Sequence, residues 1–287
     1  MLSQNKNLIG KTCLVTGATS GIGKITATAL AAQGAVVILT GRNHPKTEAV
    51  AQQIISETGN QSVHFLVADF SDLQEVRGLA KSFKEKFTHL DVLVNNAGAF
   101  FNARKRTSYG VEMTFLVNHL APFLLTNLLM EPIRKSAAAR IINVSSDAHK
   151  YGSIDFDDLE FNHFYFGFLA YARSKLSNLL FTYELDRRLT DSGISVNALH
   201  PGNVATNIFR TNFSIFGPLL KKIMGLFSLT PEEGAQTSIY LASSQEVEGV
   251  SGKYFVKQEP SLSSPLSNKP DLAKELWEQS ERLISRD

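Results

Sequence analysis

Apolar runs along the chain, each followed by a turn and a helical pattern, predict alternating strands and helices. The first run, at residues 12–15, leads into a glycine-rich turn, and a helical pattern follows at residues 24–33. A second run, at residues 35–39, has no polar alternation. Runs of that kind are typical of strands that are covered on both faces of a sheet. The N-terminal part of the chain therefore predicts a strand, helix, strand unit.

The same alternation continues to the C-terminus. Further strands are predicted at residues 63–67, 90–94, 140–145, 194–199 and 253–256. Helices are predicted at residues 45–58, 110–130 and 272–284, around Tyr171, and after two capping boxes, Ser71 with Gln74 and Thr230 with Glu233. Repeated strand–helix units with short connections predict a single α/β domain over residues 1–287. We expect a Rossmann-type, doubly wound parallel sheet of about seven strands with helices on both faces.

Three segments interrupt this alternation and are predicted to be irregular: residues 151–169, 203–229 and 258–270. Long irregular segments in compact domains are usually either functional or mobile. We interpret residues 207–229 as an insertion on the substrate side. Within it, residues 217–227 carry an apolar stripe at helical spacing with two lysines off that stripe. We therefore predict that residues 208–228 form a lid; the alternatives are a peripheral contact with a membrane surface and simple packing on the body of the protein.

Composition excludes several other classes of protein. Hydrophobic residues make up 43% and charged residues 20% of the chain, and the net charge of +2 gives no reason to expect nucleic acid as a partner. One cysteine and no H-E-x-x-H pair predict neither a disulfide nor a metal site. The sequence shows no signal-peptide core and no apolar run near the length of a membrane span, so we expect a cytoplasmic protein.

The glycine-rich turn after the first strand is the first candidate binding site. Gly17, Gly21 and Gly23 follow the pattern G-x-x-x-G-x-G between a strand and a helix. Glycines there let the backbone approach a pyrophosphate, and the helix N-terminus favours its negative charge. We predict that residues 17–23, including Thr19, Ser20 and Ile22, bind a dinucleotide; a plain tight turn is the alternative.

The end of the second strand indicates which dinucleotide it is. Residues 40–42 are Thr, Gly and Arg, and the next carboxylate is Glu48. A carboxylate would be expected there for the ribose hydroxyls of NAD, whereas the guanidinium of Arg42 suits a 2′-phosphate. We therefore predict NADP (NADPH), with NAD less favoured; a solvated arginine is the alternative.

Tyr171 and Lys175 lie four positions apart in a helical segment and share one helix face. A phenol held beside an ammonium group has its ionised form favoured, so it can exchange a proton with an alcohol or carbonyl. This pair predicts a general acid or base; the alternative is a solvated helix face.

Several motifs occur together along the chain: residues 16–23, 95–98, 146, 171–175 and 201–206. As a set they resemble the short-chain dehydrogenase/reductase family over almost the whole length. Residues 117–120, 143–149, 200–202 and 234–238 resemble the retinol dehydrogenase branch of that family in particular.

The resemblance implies a catalytic role for each of four residues. Tyr171 would exchange a proton with the substrate oxygen, and Lys175 would lower the pKa of Tyr171 and bind the nicotinamide ribose. Ser146 would hold the substrate oxygen; Ser145 is the alternative, although successive strand residues face opposite sides. Asn118 would bind a water that links Lys175 to solvent, unless its side chain is satisfied by backbone.

It also implies further cofactor contacts and partners. Asp69 would bind the adenine amine, or alternatively cap a helix. The remaining predicted cofactor contacts are Phe70, Asn95, Ala97, Gly98, Pro201, Gly202, Val204 and Thr206. Apolar and aromatic residues at 100–101, 164–168 and 208–227 suggest a lipophilic alcohol, aldehyde or ketone as substrate; ordinary core packing is the alternative. The family suggests a homodimer or homotetramer. The alternative functions are a catalytically silent NADP-binding redox sensor and a reductase of a ring double bond.

Overall fold

The computed structural model describes residues 7–202 and 229–285. Among these residues, eight strands form one sheet in the order β3-β2-β1-β4-β5-β6-β7-β8, in which β8 is antiparallel to β7 and the other pairs are parallel. The predicted doubly wound α/β fold is confirmed. The strands are β1 Thr12–Val15, β2 Val36–Gly41, β3 Val63–Val67, β4 Val92–Asn95, β5 Arg140–Val144, β6 Ser195–His200, β7 Tyr254–Val256 and β8 Glu259–Ser261.

Helices cover both faces of the sheet. They are α1 Gly21–Ala32, α2 His44–Thr58, α3 Leu73–Lys86, α4 Met113–Phe115, α5 Ala121–Leu128, α6 Met130–Arg134, α7 Gly167–Arg188, α8 Pro231–Ser243 and α9 Pro270–Ile284. The helices on each face form a separate hydrophobic core with the sheet, and successive strand residues belong to different cores. Leu14 packs with α3, α5, α7 and α9, whereas Cys13 packs with α1, α2 and α8. None of the helices in the described ranges combines the length and apolar character that crossing a bilayer requires.

The predicted capping box at Ser71 is wrong, whereas the one at Thr230 is confirmed. Helix α3 begins one position later, and Asp72 is its N-cap, accepting from the Gln74 backbone N–H at 2.8 Å. The Asp72 carboxylate also accepts from the Tyr109 hydroxyl at 2.7 Å, and this bond lowers the pKa of Asp72. Because Tyr109 comes from a distant segment, the sequence around Ser71 carries no sign of this contact.

The helix predicted at residues 110–130 is interrupted. It begins at Met113, after the N-cap Glu112, and widens into a π-helical turn at Leu116–Leu120 before α5. Pro122 explains the widening, because proline has no N–H to donate to the carbonyl of Asn118 four residues earlier and its ring crowds that carbonyl. Asn118 therefore lies in a distorted turn instead of a regular helix.

The C-terminal segment predicted to be irregular contains β8 and a 3₁₀ turn at Pro265–Asn268. A two-residue hairpin joins β7 to β8, with Lys257 and Gln258 at φ values of 52° and 69°. Hairpins that need positive φ at both positions usually contain Asn or Gly there. Lysine and glutamine give no such signal, which is why the strand was not predicted.

Candidate active site

The site residues lie where the parallel strands end at their carboxyl side, the edge at which open α/β sheets bind ligands. The glycine turn follows β1, Arg42 follows β2, Asp69 follows β3, Ala97 and Gly98 follow β4, and Ser146 follows β5. Helix α7 crosses the same edge and brings Tyr171 and Lys175 to it. Pro201 and Gly202 follow β6. Val204, Thr206 and the predicted lid or membrane segment at 208–228 lie outside the described residues.

The glycine turn approaches the segment after β4 so closely that side chains do not fit. A Cβ on Gly17 would lie 2.8 Å from the Ala97 Cα, and one on Gly23 would lie 2.6 Å from the Gly17 carbonyl oxygen. Gly17 and Gly21 have φ values of 63° and 56°, which favour glycine. The turn therefore presents bare backbone at the start of α1, as binding a pyrophosphate requires.

Two residues that hold this turn were not among the predicted cofactor residues. The Asn96 side-chain amide donates to the Thr16 carbonyl at 2.7 Å, and the Thr16 hydroxyl accepts from the Asn96 and Ala97 backbone N–H groups, each at 2.9 Å. These bonds tie the end of β1 to the end of β4. Both residues lie within motifs that carry the family resemblance, and each is next to a predicted cofactor residue. That position in the sequence is the signal that could have identified them.

The structure does not bring the side chains of Asn95 and Phe70 to the predicted cofactor edge. The Asn95 amide is buried and donates to the Thr126 hydroxyl at 3.0 Å and to the Asn143 side-chain oxygen at 2.8 Å. Phe70 packs in the core beside α3. A cofactor contact at either position would therefore have to involve the backbone and not the side chain.

The adenosine end of the predicted cofactor site lies at the ends of β2 and β3. Arg42 is exposed directly after β2. Asp69 accepts from the backbone N–H and the hydroxyl of Ser71, at 2.9 and 2.8 Å, so it forms a local turn. The cap of α3 is Asp72, so the alternative helix-capping role predicted for Asp69 is wrong.

Tyr171 and Lys175 are both buried, with 7% and 4% of their surfaces exposed, so the alternative of a solvated helix face is wrong. The Lys175 Nζ donates to the Val144 carbonyl at 2.9 Å and lies 5.5 Å from the centroid of the Tyr171 ring. Burial lowers the pKa of Lys175 to about 8. It raises the pKa of Tyr171 to about 12, with a hydrogen bond to the Ser146 side chain acting in the opposite direction.

The sequence predicted a lowered pKa for Tyr171, and this prediction is wrong for the structure, in which burial raises the pKa. Removing water disfavours a phenolate and an ammonium ion alike. The Lys175 ammonium group donates a hydrogen bond to the Val144 carbonyl at the end of β5. Its attraction on the phenolate is consequently smaller than the effect of burial.

The two candidate serines directly follow β5, and their side chains have different partners. The Ser145 hydroxyl is buried and donates to the Lys175 carbonyl at 2.8 Å, so it anchors α7 to β5. The next residue, Ser146, is the N-cap of a 3₁₀ turn at Asp147–Tyr151, and its side chain reaches Tyr171. Ser146 is the serine that lies beside the phenol.

Both polar atoms of the Asn118 side chain are hydrogen-bonded within the protein. Its oxygen accepts from the Ala99 backbone N–H at 2.7 Å, and its amide donates to the Ala99 carbonyl and the Ser174 hydroxyl at 2.9 and 3.0 Å. A Cβ on Gly98 would lie 3.4 Å from the Asn118 oxygen and 3.7 Å from the Lys175 Nζ. Pro122 has no N–H to donate to the Asn118 backbone carbonyl, so that carbonyl lacks the hydrogen bond of a regular α-helix.

A small cluster of aromatic and apolar side chains packs against the phenol. The buried ring of Phe100 packs edge to face on Tyr171, with 5.8 Å between centroids. Phe168 extends this cluster outwards and contacts the exposed ring of Tyr151. Within the ranges that the structure describes, no group of histidine, cysteine and acidic residues is arranged to hold a metal ion.

Comparison with known proteins agrees with this geometry. A family model described as short chain dehydrogenase matches residues 11–214. Retinol dehydrogenase 14 of Homo sapiens is 44% identical over 292 residues, which cover 96% of this chain and 86% of that protein. Retinol dehydrogenase 11 of Homo sapiens is 43% identical over 273 residues, with 95% and 85% covered.

Solved structures agree as well. The crystal structure of an uncharacterized protein from Mycobacterium Paratuberculosis has a TM-score of 0.78 and 32% identity, covering 99% of this chain and 98% of that one. The Pseudomonas aeruginosa RhlG/NADP active-site complex has a TM-score of 0.71 and 27% identity, with 88% and 96% covered. The chain therefore belongs to the short-chain dehydrogenase/reductase family, within its retinol dehydrogenase-like branch.

Proposed function

We propose that the protein, an oxidoreductase by family, interconverts an alcohol and a carbonyl on a lipophilic substrate, with NADP(H) as cofactor. The observation that carries this proposal is the pair of buried residues Tyr171 and Lys175 at the carboxyl edge of the sheet, with the half-buried Ser146 hydrogen-bonded to the phenol. A binding protein has no need of a buried phenol held against a serine hydroxyl. A catalyst that moves a proton to or from a substrate oxygen requires such a group.

The residues at this edge fit a dinucleotide. Gly17 and Gly23 leave a backbone cradle that any Cβ would fill, and the cradle opens at the N-terminus of α1. The bound cofactor would supply or accept the hydride. Lys175 would bind the nicotinamide ribose, and Pro201 and Gly202 would lie beside the nicotinamide amide.

Ser146 and Tyr171 would act together on the substrate oxygen. The raised pKa of Tyr171 keeps its proton in place at neutral pH, which suits donation to a carbonyl oxygen during reduction. Ser146 would orient that oxygen towards the phenol. Lys175, whose pKa is about 8, would return a proton to Tyr171, with water at the Asn118 carbonyl linking it to solvent.

Arg42 supports NADP over NAD, and its replacement tests that preference. Arg42→Ala is expected to raise the NADPH dissociation constant by about 10- to 100-fold, because charge-assisted hydrogen bonds to a 2′-phosphate would be lost. The NADH dissociation constant should change little, since NADH carries no such phosphate. Both constants are measured by titrating the nicotinamide fluorescence.

Lys81→Ala is the matched control for Arg42, because it removes one positive charge from an exposed position on α3, away from the site. It should leave both constants unchanged. Equal weakening of NADPH and NADH in Arg42→Ala would contradict the assignment of NADP. The NADP in the RhlG complex supports the same preference.

The cradle itself is tested at Gly23. Gly23→Ala is expected to weaken NADPH binding at least about tenfold, since the new Cβ would meet the Asn96 side-chain amide at 2.4 Å and the Gly17 carbonyl oxygen at 2.6 Å. Gly78→Ala is the control: it adds the same methyl group in α3, where no described atom lies within 4 Å. That variant should bind normally and be more stable by about 0.5–1 kcal/mol. Normal binding in Gly23→Ala would refute the cradle.

The lipophilic substrate is proposed from the aromatic cluster around Phe100 and Phe168 and from relatives named as retinol dehydrogenases. The test of function mixes the purified protein with NADPH and aldehydes of increasing chain length and follows nicotinamide absorbance. We expect kcat/KM to rise by about fourfold for each added methylene, as long as the hydrocarbon chain of the aldehyde contacts apolar protein surface. Absence of turnover across the series would contradict the proposed function.

A further inference from the structure

The position of Ser146 depends on the turn that follows it. We call the N-cap Ser146 and the 3₁₀ turn Asp147–Tyr151 the serine turn. The Ser146 hydroxyl accepts from the Ala148 backbone N–H at 3.2 Å and also bonds with Tyr171. Any shift of the serine turn would therefore move this hydroxyl relative to the phenol.

His149 connects the serine turn to the C-terminal segment. Its ring is fully buried, with the Nδ1 atom 2.7 Å from the Ser146 carbonyl oxygen. Its Nε2 atom accepts from the Ser264 backbone N–H at 3.0 Å. Because a backbone N–H only donates, Nε2 must be the unprotonated nitrogen and Nδ1 the donor to Ser146. The two backbone groups thus set one tautomer of a neutral ring.

The far end of this connection is itself anchored. The Tyr183 hydroxyl on α7 donates to the Ser263 hydroxyl at 2.8 Å, directly before Ser264. Strand β8 pairs with β7 just upstream. The ring of Tyr254 on β7 packs edge to face on His149, with 5.1 Å between centroids. The C-terminal segment that bonds the imidazole is therefore itself held by contacts with α7 and β7.

The titratable and charged groups around the ring are consistent with a neutral imidazole. They are Asp147 and Lys150 on the serine turn, His200 on β6 and Tyr254 on β7. Burial lowers the pKa of His149, and the bond to Ser146 and the charge of Asp147 oppose that shift only in part. Asp147 is engaged by the Tyr254 hydroxyl at 3.0 Å and by the Lys150 ammonium at 2.9 Å.

We propose that His149 is a positioning residue, which holds the Ser146 hydroxyl at the Tyr171 phenol by tying the serine turn to the Ser264 backbone. This inference rests on the proposed function. His149 is not proposed to touch substrate or cofactor; it acts through Ser146.

Two variants break the connection at different ends. His149→Gln keeps an oxygen able to accept from Ser264 but places no donor at the Nδ1 position. Ser264→Pro removes the backbone N–H and leaves His149 in place; the φ of −62° at Ser264 is one that proline adopts. Each variant should lower kcat about tenfold, the effect of losing one well-placed hydrogen bond, while the NADPH dissociation constant stays unchanged.

A double-variant cycle separates positioning from a general loss of structure. In a Ser146→Ala background, His149→Gln should lower kcat no further, because the hydroxyl it positions is already absent. His64→Gln, at an exposed site on β3, is the control and should leave kcat unchanged in both backgrounds.

Three results would overturn the proposal: unchanged kcat in His149→Gln, unchanged kcat in Ser264→Pro, or losses that multiply in the double variant with Ser146→Ala. Thermal unfolding of each variant identifies one that fails to fold, and the other end of the connection then carries the test. Failure of the proposed function is distinguishable, because the unaltered protein would then turn over no aldehyde, or Tyr171→Phe would retain full turnover.

Discussion

Replacement of Tyr171 by phenylalanine is expected to lower kcat by about 10²- to 10⁴-fold, the usual contribution of a positioned general acid or base. The variant loses one hydroxyl and keeps the ring that packs on Phe100. Burial of the site is therefore preserved, and the NADPH dissociation constant should stay nearly the same. Turnover is followed by nicotinamide absorbance with the aldehyde series, and binding by fluorescence titration.

Tyr240→Phe is the matched control, because it removes the same hydroxyl from a partly exposed residue on α8. Its kcat should equal that of the unaltered protein. Unaltered turnover in Tyr171→Phe would remove Tyr171 from the mechanism. If the unaltered protein binds NADPH and turns over no aldehyde, the redox-sensor alternative is favoured instead.

A second large effect is expected at acidic pH, where protonation of His119 should lower the free energy of unfolding. Its ring is 1% exposed and lies among Phe115, Phe123 and Phe181, with centroid distances of 5.0, 6.1 and 6.2 Å. The Nε2 atom is 2.9 Å from the Ser280 hydroxyl on α9. Burial in this apolar cluster lowers the pKa of His119 from 6.5 to about 3.

The sign of the effect follows from which state takes up the proton first. As the pH falls below 6.5, the unfolded chain protonates this histidine while the folded protein does not until about pH 3. The free energy of unfolding is therefore lowered progressively over that interval, by roughly 4–5 kcal/mol in all. Between pH 7 and pH 4 the loss from His119 should be about 3 kcal/mol.

Urea unfolding at pH 7 and pH 4 measures this loss. His119→Gln should reduce the difference between the two free energies of unfolding by about 3 kcal/mol, since glutamine does not titrate. The exposed His163 is the control, and His163→Gln should leave the difference unchanged. An undiminished difference in His119→Gln would show that other groups cause the acid sensitivity.

Much of the fold was predictable because its signals are local. Apolar runs, the glycine after a strand, and the Thr230 capping box depend on residues that are neighbours in sequence. Alternation of successive residues implied that only one of Ser145 and Ser146 could face the site, and the family resemblance selected Ser146. Spacing alone placed Tyr171 and Lys175 on one helix face, and the fold then turned that face inwards.

Other features required contacts between distant segments. The Asp72 cap is stabilised by Tyr109, and the side-chain amide of Asn95 points into a buried network instead of the cofactor edge. The upward pKa shift of Tyr171 reverses the prediction made from its spacing to Lys175, because burial outweighs the attraction of a nearby cation.

Sequence reasoning was sufficient for the order of β1 to β7, for the family, and for the residue types at the carboxyl edge of the sheet. The depth at which each group is buried, the direction of each side chain and the connection of Ser146 to Ser264 through His149 became visible in the folded chain alone. The physical reason is that periodicity and capping act over a few residues of chain. Desolvation and hydrogen-bond partners are set by segments that meet only in the folded state.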